Sequence, residues 1–498
     1  MLLFLIGLAI LIIGYFTYGR FIEKILAPTD NPTPAIRMKD GVDFVELPHW
    51  KNMLIQLLNI AGIGPVIGVI LGIKFGAIVF IILPIGNIIG GAVHDFLAGM
   101  ISIRNNGCNL PKIVEDNLGK TYARIFNIFM SFLLLLVVAV FINVPAALFK
   151  PLFSATGAEP NTIFWIAVIV IFIYYVVATL FPVDKIIGSI YPVFSIILLL
   201  STVAIFVALL IKGFQMPEIM TETAAFQAKM FTEANNNPIL PVLFVTIACG
   251  IISGFHATQS PIIARTMKTE REARSSFYGM MVLEGIIGMI WAGAGMAIYN
   301  LFPQYMTKAP ALVLNDITTY FLGSVVGGVT VVGVIILAIT SGDTAMRSLR
   351  LSVAETLHIS QKGLLNRILL CIPLIAIVCG LLIWSNRDAK SFNILWNYFS
   401  WANQILAVTT LLAATVWLIK NRKNFWIAAI PGTFMTFIVL CYILWTDKTK
   451  NGPLGFGLDL QKAYLISGFL AVVIVFYLIS QTQIKSLQKE IDEVKSDK

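Results

Sequence analysis

Charged and amide side chains are so rare inside the apolar stretches of this chain that each one raises the question of its partner. An ionisable group at the centre of a membrane helix costs about 2.5–3.5 kcal/mol on insertion scales, so it is kept where it pairs or works. The stretch GGAVHDFLAGMISIRNNG carries His94 and Asp95 side by side, and another carries Glu284, about two turns in from the basic run Arg265–Arg274. A third, AITSGDTAMRSLRLSVAE, carries Thr340, Ser341, Asp343, Thr344, Arg347 and Arg350, with Asp343 and Arg347 one above the other at i, i+4. The chemistry open to these groups is proton transfer and cation coordination. Small shifts move a histidine across physiological pH, so His94 could relay a proton or sit packed and neutral on one carbonyl. Asp95 and Glu284 admit proton coupling or buried hydrogen bonding. Asp343–Arg347 reads either as an interfacial ion pair, with Arg350 snorkelling to water, or as a gating pair. The hydroxyls of Thr340 and Ser341 suit a hard cation such as sodium, although a hydroxyl in a helix also bonds its own backbone.

Two interruptions lie among these groups. GIGPVIGVILG places Gly62, Gly64, Pro65, Gly68 and Gly72 in one apolar stretch, and ACGIISGFHATQSPIIART places Gly250, Ser253, Gly254, His256, Gln259, Ser260 and Pro261 in another. Gly and Pro within a membrane helix free backbone groups that only protein, ions or water can satisfy, so a break is a candidate binding site. Gly64, Gly68 and Gly72 also recur every four residues, which suits close helix packing. A further stretch, WNYFSWANQILAVTTLLAATVW, holds Trp396, Asn397, Trp401, Asn403 and Gln404, and its amides call for an interior or aqueous partner.

The elements that must position these residues follow from composition. Of the 498 residues 58% are hydrophobic and 12% charged, against about 25% charged in soluble proteins. Runs of about 17–25 apolar residues can cross a bilayer, and thirteen are predicted, near 2–19, 53–73, 77–101, 125–149, 162–181, 186–211, 239–262, 277–302, 320–344, 367–384, 393–418, 425–445 and 463–481. The first lacks a basic n-region and a cleavage site and reads as a retained span. Alternating the loops puts 25 of the 35 Lys and Arg on one face. The positive-inside rule makes that face cytoplasmic, with the N-terminus outside and the C-terminus inside. The net charge of +9 therefore needs no nucleic acid. The five scattered cysteines predict neither disulfides nor a zinc site. The hydrophilic segment 212–238 reads as an outer connector that could hold a short amphipathic helix, and the tail from 482 as a solvated helix.

The two interruptions are five spans apart. That spacing suggests two inverted five-helix halves, 53–211 and 239–418, with span 1–52 before them and 419–498, two more spans and the tail, after them. Secondary transporters built this way bind substrate near the midplane, between broken helices.

Together GPVIG, GGAVHDFLAGMISIRNNG, ACGIISGFHATQSP, TSGDTAMRSLRL and WNYFSWANQILAVTTLLAATVWL resemble the carbon starvation protein A family of bacterial membrane transporters, with order and spacing intact from about residue 47 to 420. The resemblance implies an all-α polytopic protein of the bacterial inner membrane, with a five-plus-five inverted-repeat core of the amino acid-polyamine-organocation type. It also implies uptake of peptides or, in some members, pyruvate during nutrient limitation. The family motifs fall on Gly62–Gly68, His94–Asp95, Ser253–Gln259, Gly342–Arg350 and Trp396–Gln404.

The expectation is a secondary importer that alternates access around two broken helices. Substrate would meet Gly62, Gly64, Pro65, Ser253, Gly254, His256, Gln259, Asn403 and Gln404. Coupling or gating would use His94, Asp95, Glu284, Thr340, Ser341, Asp343 and Arg347. No cofactor is expected beyond a coupling proton or sodium ion, the latter at Thr340 and Ser341. A nutrient sensor that binds without transporting is the competing class. No P-loop, H-E-x-x-H or G-x-S-x-G is present, so ATP-driven and hydrolytic chemistry have no motif support.

Overall fold

Among the described residues the apolar runs that the sequence marks are helical along most of their length, because within a bilayer only helices and closed barrels satisfy their own backbone. The computed structural model describes residues 1–496 except 42–43, 154–156, 181–182, 213–237, 309, 358, 360–362, 388 and 451–453. All but the ends of the expected connector 212–238 lie outside the described residues. Among the described residues eleven continuous helices are long and apolar enough to cross a membrane, and a bent pair, His49–Ile60 with Gly64–Phe75, makes twelve. The one remaining expected span, 239–262, the seventh in chain order, is not a continuous helix. It is divided into Ile239–Leu243, Phe244–Thr246, Ala248–Ile251 and Phe255–Ala264, as its Gly, Ser and Pro content favours.

Burial sorts the helices into a core and a periphery. The most apolar window of Ile394–Lys420 is 94% buried and that of Glu270–Leu301 89%, whereas Leu460–Gln488 is 22% buried and Leu2–Leu26 33%. The interior helices carry the polar residues, and the outer ones present isoleucine, valine and phenylalanine to their surroundings. Pro310–Ala354 is 45 residues long, roughly twice what a bilayer needs. It is two helices joined at Gly323, whose φ of 78° lies in the left-handed region that a glycine adopts without strain.

The stretch that follows the first helix is pinned down rather than a loose connector. The Arg104 guanidinium forks onto Glu270 (Nε to Oε1 3.1 Å, Nη2 to Oε2 2.9 Å) and also donates to the carbonyls of Leu26 and Ala27. Lys423 donates to the carbonyls of Ile25 and Leu26 at 2.9 and 3.1 Å. Two cations thus close the C-terminal end of the first helix, where backbone carbonyls gather negative charge. Thr33 donates to Met267 O, Arg274 pairs with Glu23, and Arg271 pairs with Asp30. That hydrogen-bonded guanidinium holds the Asp30 carboxyl below its ordinary range.

Candidate functional site

Two broken segments meet in the core. The first stops at Ala61, whose ψ of 60° leaves the helical region, and Gly62 N turns back to Ile60 O at 2.7 Å. The chain restarts as a π-helical turn, Gly64–Gly68, and the two pieces bend by 55°. Pro65 lies in that first turn, where a missing N–H costs nothing. The second segment breaks at Ile252, which is extended (φ −163°, ψ 122°), and resumes at Phe255. Both breaks flank Phe141. A Cβ on Gly62 would fall 2.8 Å from the Phe141 ring, and the Phe141 and Phe255 ring centroids are 6.4 Å apart.

The glycine stretch is at once a break and a packing ridge. A Cβ on Gly64 would lie 2.2 Å from Cβ and Sγ of Cys249, one on Gly72 2.0 Å from Cγ2 of Ile247, and one on Gly68 3.0 Å from the Thr246 carbonyl. Missing side chains let the first segment lie directly on the run that precedes the second break. Gly254 is held as closely on its other side, where a Cβ would fall 2.3 Å from Ala407 N and 2.4 Å from Asn403 O.

The backbone freed at the second break is taken up by the amides of span eleven. Phe255 N donates to Asn403 Oδ1 at 2.8 Å, Asn403 Nδ2 donates to Ser253 Oγ at 2.9 Å, and Gln404 Nε2 reaches the carbonyls of Ile252 and Phe244 at 3.3 Å. Asn87 donates to the carbonyls of Gly250 and Met281, both at 3.0 Å. Asn403 and Gln404 therefore hold the break in shape. At the first break Ser341 Oγ reaches Leu58 O at 3.5 Å, whereas Thr340 Oγ1 donates to Leu337 O on its own helix at 3.0 Å.

Beside the second break four titratable residues form a buried chain. Asp95 takes His94 Nδ1 on Oδ1 at 2.8 Å and His256 Nδ1 on Oδ2 at 2.9 Å, and His256 Nε2 stands 3.6 Å from Glu284 Oε2. All four side chains are at most 1% exposed. With Nδ1–H given to the carboxylate, a neutral imidazole presents Nε2 as an acceptor, and a protonated one presents it as a donor. Among the described residues neither Nε2 of the two histidines nor either oxygen of Glu284 has a hydrogen-bond partner. The chain spans three helices, with His256 on the element that begins at the break.

Asp343 and Arg347 face a different neighbour. Tyr174 Oη donates to Asp343 Oδ2 at 3.3 Å, and Arg347 Nη2 donates to Ala178 O at 2.7 Å. Arg350 is 4% exposed and donates to Thr179 Oγ1 at 3.4 Å, so it does not snorkel. The two arginines close the end of the Pro160–Leu180 helix.

Sequence reasoning overlooked Gln56 and Asn59. Both are fully buried just ahead of the first break, and none of their four polar side-chain atoms has a partner among the described residues. The signal was in the sequence, because Asn52, Gln56 and Asn59 recur at i, i+4 and i+7 and so mark one helix face.

The family profile described as carbon starvation protein CstA matches residues 1–168, 159–320 and 304–441. An uncharacterized membrane protein of Haemophilus influenzae is 38% identical, over 62% of this chain and 94% of its own. The protein named peptide transporter CstA in Campylobacter jejuni is 24% identical, covering 99% of this chain and 85% of its own. Its Bacillus subtilis counterpart is 28% identical over 59% of this chain and 57% of its own. Among solved structures, a crystal structure of the Eremococcus coleocola manganese transporter aligns with a TM-score of 0.54 at 13% identity, over 90% of this chain and 98% of the other. That likeness is one of fold.

Proposed function

The chain belongs to the carbon starvation protein CstA family, is a multi-span membrane transporter rather than an enzyme, and from that premise we propose that it is a secondary active importer of peptides or of a short carboxylate such as pyruvate. Its core is two inverted halves of five helices, and access alternates around the two breaks. It sits in the bacterial inner membrane with its basic loops in the cytoplasm and its N-terminus outside, as the lysine and arginine bias favours. Gly62, Gly64, Pro65, Ser253, Gly254, His256 and Gln259 lie along the substrate path, with Asn403 and Gln404 fixing the backbone it meets.

The coupling ion is a proton, carried by His94, Asp95, His256 and Glu284. The observation that carries this reading is the chain Asp95–His256–Glu284, buried and incompletely hydrogen-bonded at the edge of a broken helix. A group that gains or loses a proton there changes the charge of the element expected to move. Sodium at Ser341 and Thr340 is the rival, supported by the approach of Ser341 Oγ to the first break.

Uptake by purified protein in liposomes tests the proposal, with labelled dialanine and labelled pyruvate under a proton gradient and then a sodium gradient. Accumulation that collapses with the proton gradient supports it. Binding without accumulation under either gradient replaces it with a nutrient sensor, used like the importer under starvation.

A further inference from the structure

We propose that Gln56 and Asn59, with Gln259 on the neighbouring helix, form the polar seat that recognises a ligand group carrying both a hydrogen-bond donor and an acceptor, of which the peptide unit is the simplest. The inference rests on the importer reading and adds the residues and chemistry of recognition to it. The helix His49–Ile60 and the helix Phe255–Ala264 are clasped near one end. Asn52 Nδ2 donates to Thr266 O at 3.2 Å, and Thr266 Oγ1 donates to Asn52 Oδ1 at 2.7 Å. From that clasp the two helices run side by side and antiparallel toward their breaks. Gln56 and Asn59 lie one and two turns beyond Asn52 on its face, and Gln259 lies two turns before Thr266 on the facing helix. Each leg advances about 10 Å, which puts Asn59 and Gln259 at comparable heights, Asn59 two residues before Ala61 and Gln259 five residues after Gly254.

The state of these side chains points to a ligand. Gln56 and Asn59 are 0% exposed, and among the described residues Nε2, Oε1, Nδ2 and Oδ1 all lack a partner, as does Oε1 of Gln259, whose Nε2 donates to Thr258 Oγ1 at 2.8 Å. Leaving buried polar groups unpaired is costly, and native proteins rarely do so without a functional reason. Which ligand fits follows from the pattern of orphans. A metal ion or proton donor would satisfy only the oxygens. A carboxylate with a keto oxygen, as in pyruvate, offers acceptors only and would leave the oxygens orphaned. A trans peptide unit offers one N–H and one C=O on opposite edges, so the oxygen of one carboxamide can accept from the N–H while the NH2 of another donates to the C=O. The seat is closed over in this conformation, so a ligand reaches it only when the two broken segments part, as alternating access requires.

The experiment uses the full chain in lipid nanodiscs and follows binding of dialanine, of dialanine methylated on its peptide nitrogen, and of pyruvate. Gln56→Met and Asn59→Leu keep shape and remove the amides. Each variant is expected to bind dialanine about tenfold more weakly, the loss of one buried hydrogen bond. N-methylation should weaken binding about tenfold in the original protein and little in the variants. Both variants should unfold at or above the original midpoint, because an unpaired buried amide has been replaced by an apolar group. Unchanged dialanine affinity in both variants, or indifference of the original protein to N-methylation, overturns the seat. So does a fall in stability accompanied by equal losses for all three ligands, which marks a structural role. Accumulation of pyruvate without dialanine binding overturns the seat and leaves the importer standing, whereas accumulation of neither overturns both.

Discussion

Exchanging one carbon atom across the contact between the two broken segments tests the geometry from which the functional reading starts. In Gly64→Ala the new Cβ falls 2.2 Å from Cβ and Sγ of Cys249. Carbon atoms in contact rest about 3.5–4.0 Å apart, so the segments must separate by about 1.5 Å or the cysteine must be displaced. Overpacking of this kind costs about 1–3 kcal/mol, and better helix propensity returns at most about 1 kcal/mol. The single variant should therefore lose about 1–2 kcal/mol and most of its uptake. Cys249→Gly alone costs about 1 kcal/mol, from lost packing and added backbone freedom. The double variant removes the clash and should recover, with a favourable coupling of about 1–3 kcal/mol. Unfolding midpoints in detergent and initial uptake rates in liposomes for all four proteins complete the cycle. Wild-type behaviour of Gly64→Ala, or losses in the double variant equal to the sum of the singles, would refute the face-to-face packing. Gly254→Ala offers a control, because its Cβ meets backbone atoms of Asn403 and Ala407, and no side-chain truncation nearby should rescue it.

Asp95→Asn removes the carboxylate shared by His94 and His256, and proton-driven accumulation should disappear while substrate exchange across the membrane persists; an unchanged pH dependence would take Asp95 out of coupling. Replacing sodium with potassium at fixed pH should leave the initial uptake rate unchanged, and a rate that collapses and falls further in Ser341→Ala would move coupling to the hydroxyls at the first break. Asn403→Leu strips the acceptor from Phe255 N and the partner from Ser253, so a thermal-shift assay should read a loss of about 1–3 kcal/mol, and no shift would show that the break holds itself. The charge swap Arg104→Glu with Glu270→Arg should stay well below wild-type stability, because it would set a carboxylate against the carbonyls of Leu26 and Ala27, which now accept from Arg104; full recovery would mean that the ion pair alone matters.

Much of this architecture was legible because a bilayer leaves the backbone so few options. Apolar length marked where helices run, and Gly62–Pro65 and Ser253–Gly254 marked where two of them fail. The count of continuous spans was less legible, since hydropathy sees 239–262 as one greasy run and is blind to the extended residue Ile252 that divides it. The gathering of His94, Asp95, His256 and Glu284 was half legible. Each was conspicuous in its own stretch, but no one-dimensional pattern says that three different helices turn them toward one another. Asp343 and Arg347 were half legible too. Spacing at i, i+4 permits a pair but cannot reveal that Asp343 also takes Tyr174 and Arg347 the Ala178 carbonyl. Gln56 and Asn59 escaped although their spacing was as regular as that of any ligand set and the amides Asn403 and Gln404 stood out.

On the proposed reading, the placement of His256 would join recognition to coupling. It stands two residues beyond Gly254, on the helix that starts at the break, and its ring bridges a carboxylate on Ala92–Arg104 and another on Met280–Leu301. Any movement of the second segment against those helices changes its distances to Asp95 and Glu284. Three residues further along the same short helix is Gln259, whose carbonyl oxygen is unpaired among the described residues. Ten residues of helix, Phe255–Ala264, thus carry both the ring proposed to hold the proton and one wall of the proposed polar seat. A ligand that draws Gln259 toward Asn59 would shift His256 by the same rigid displacement, and protonation of His256 would bias where Gln259 rests. Coupling of that kind needs no long relay, only a segment stiff enough to move as one piece and a break at Ile252–Gly254 on which it can turn.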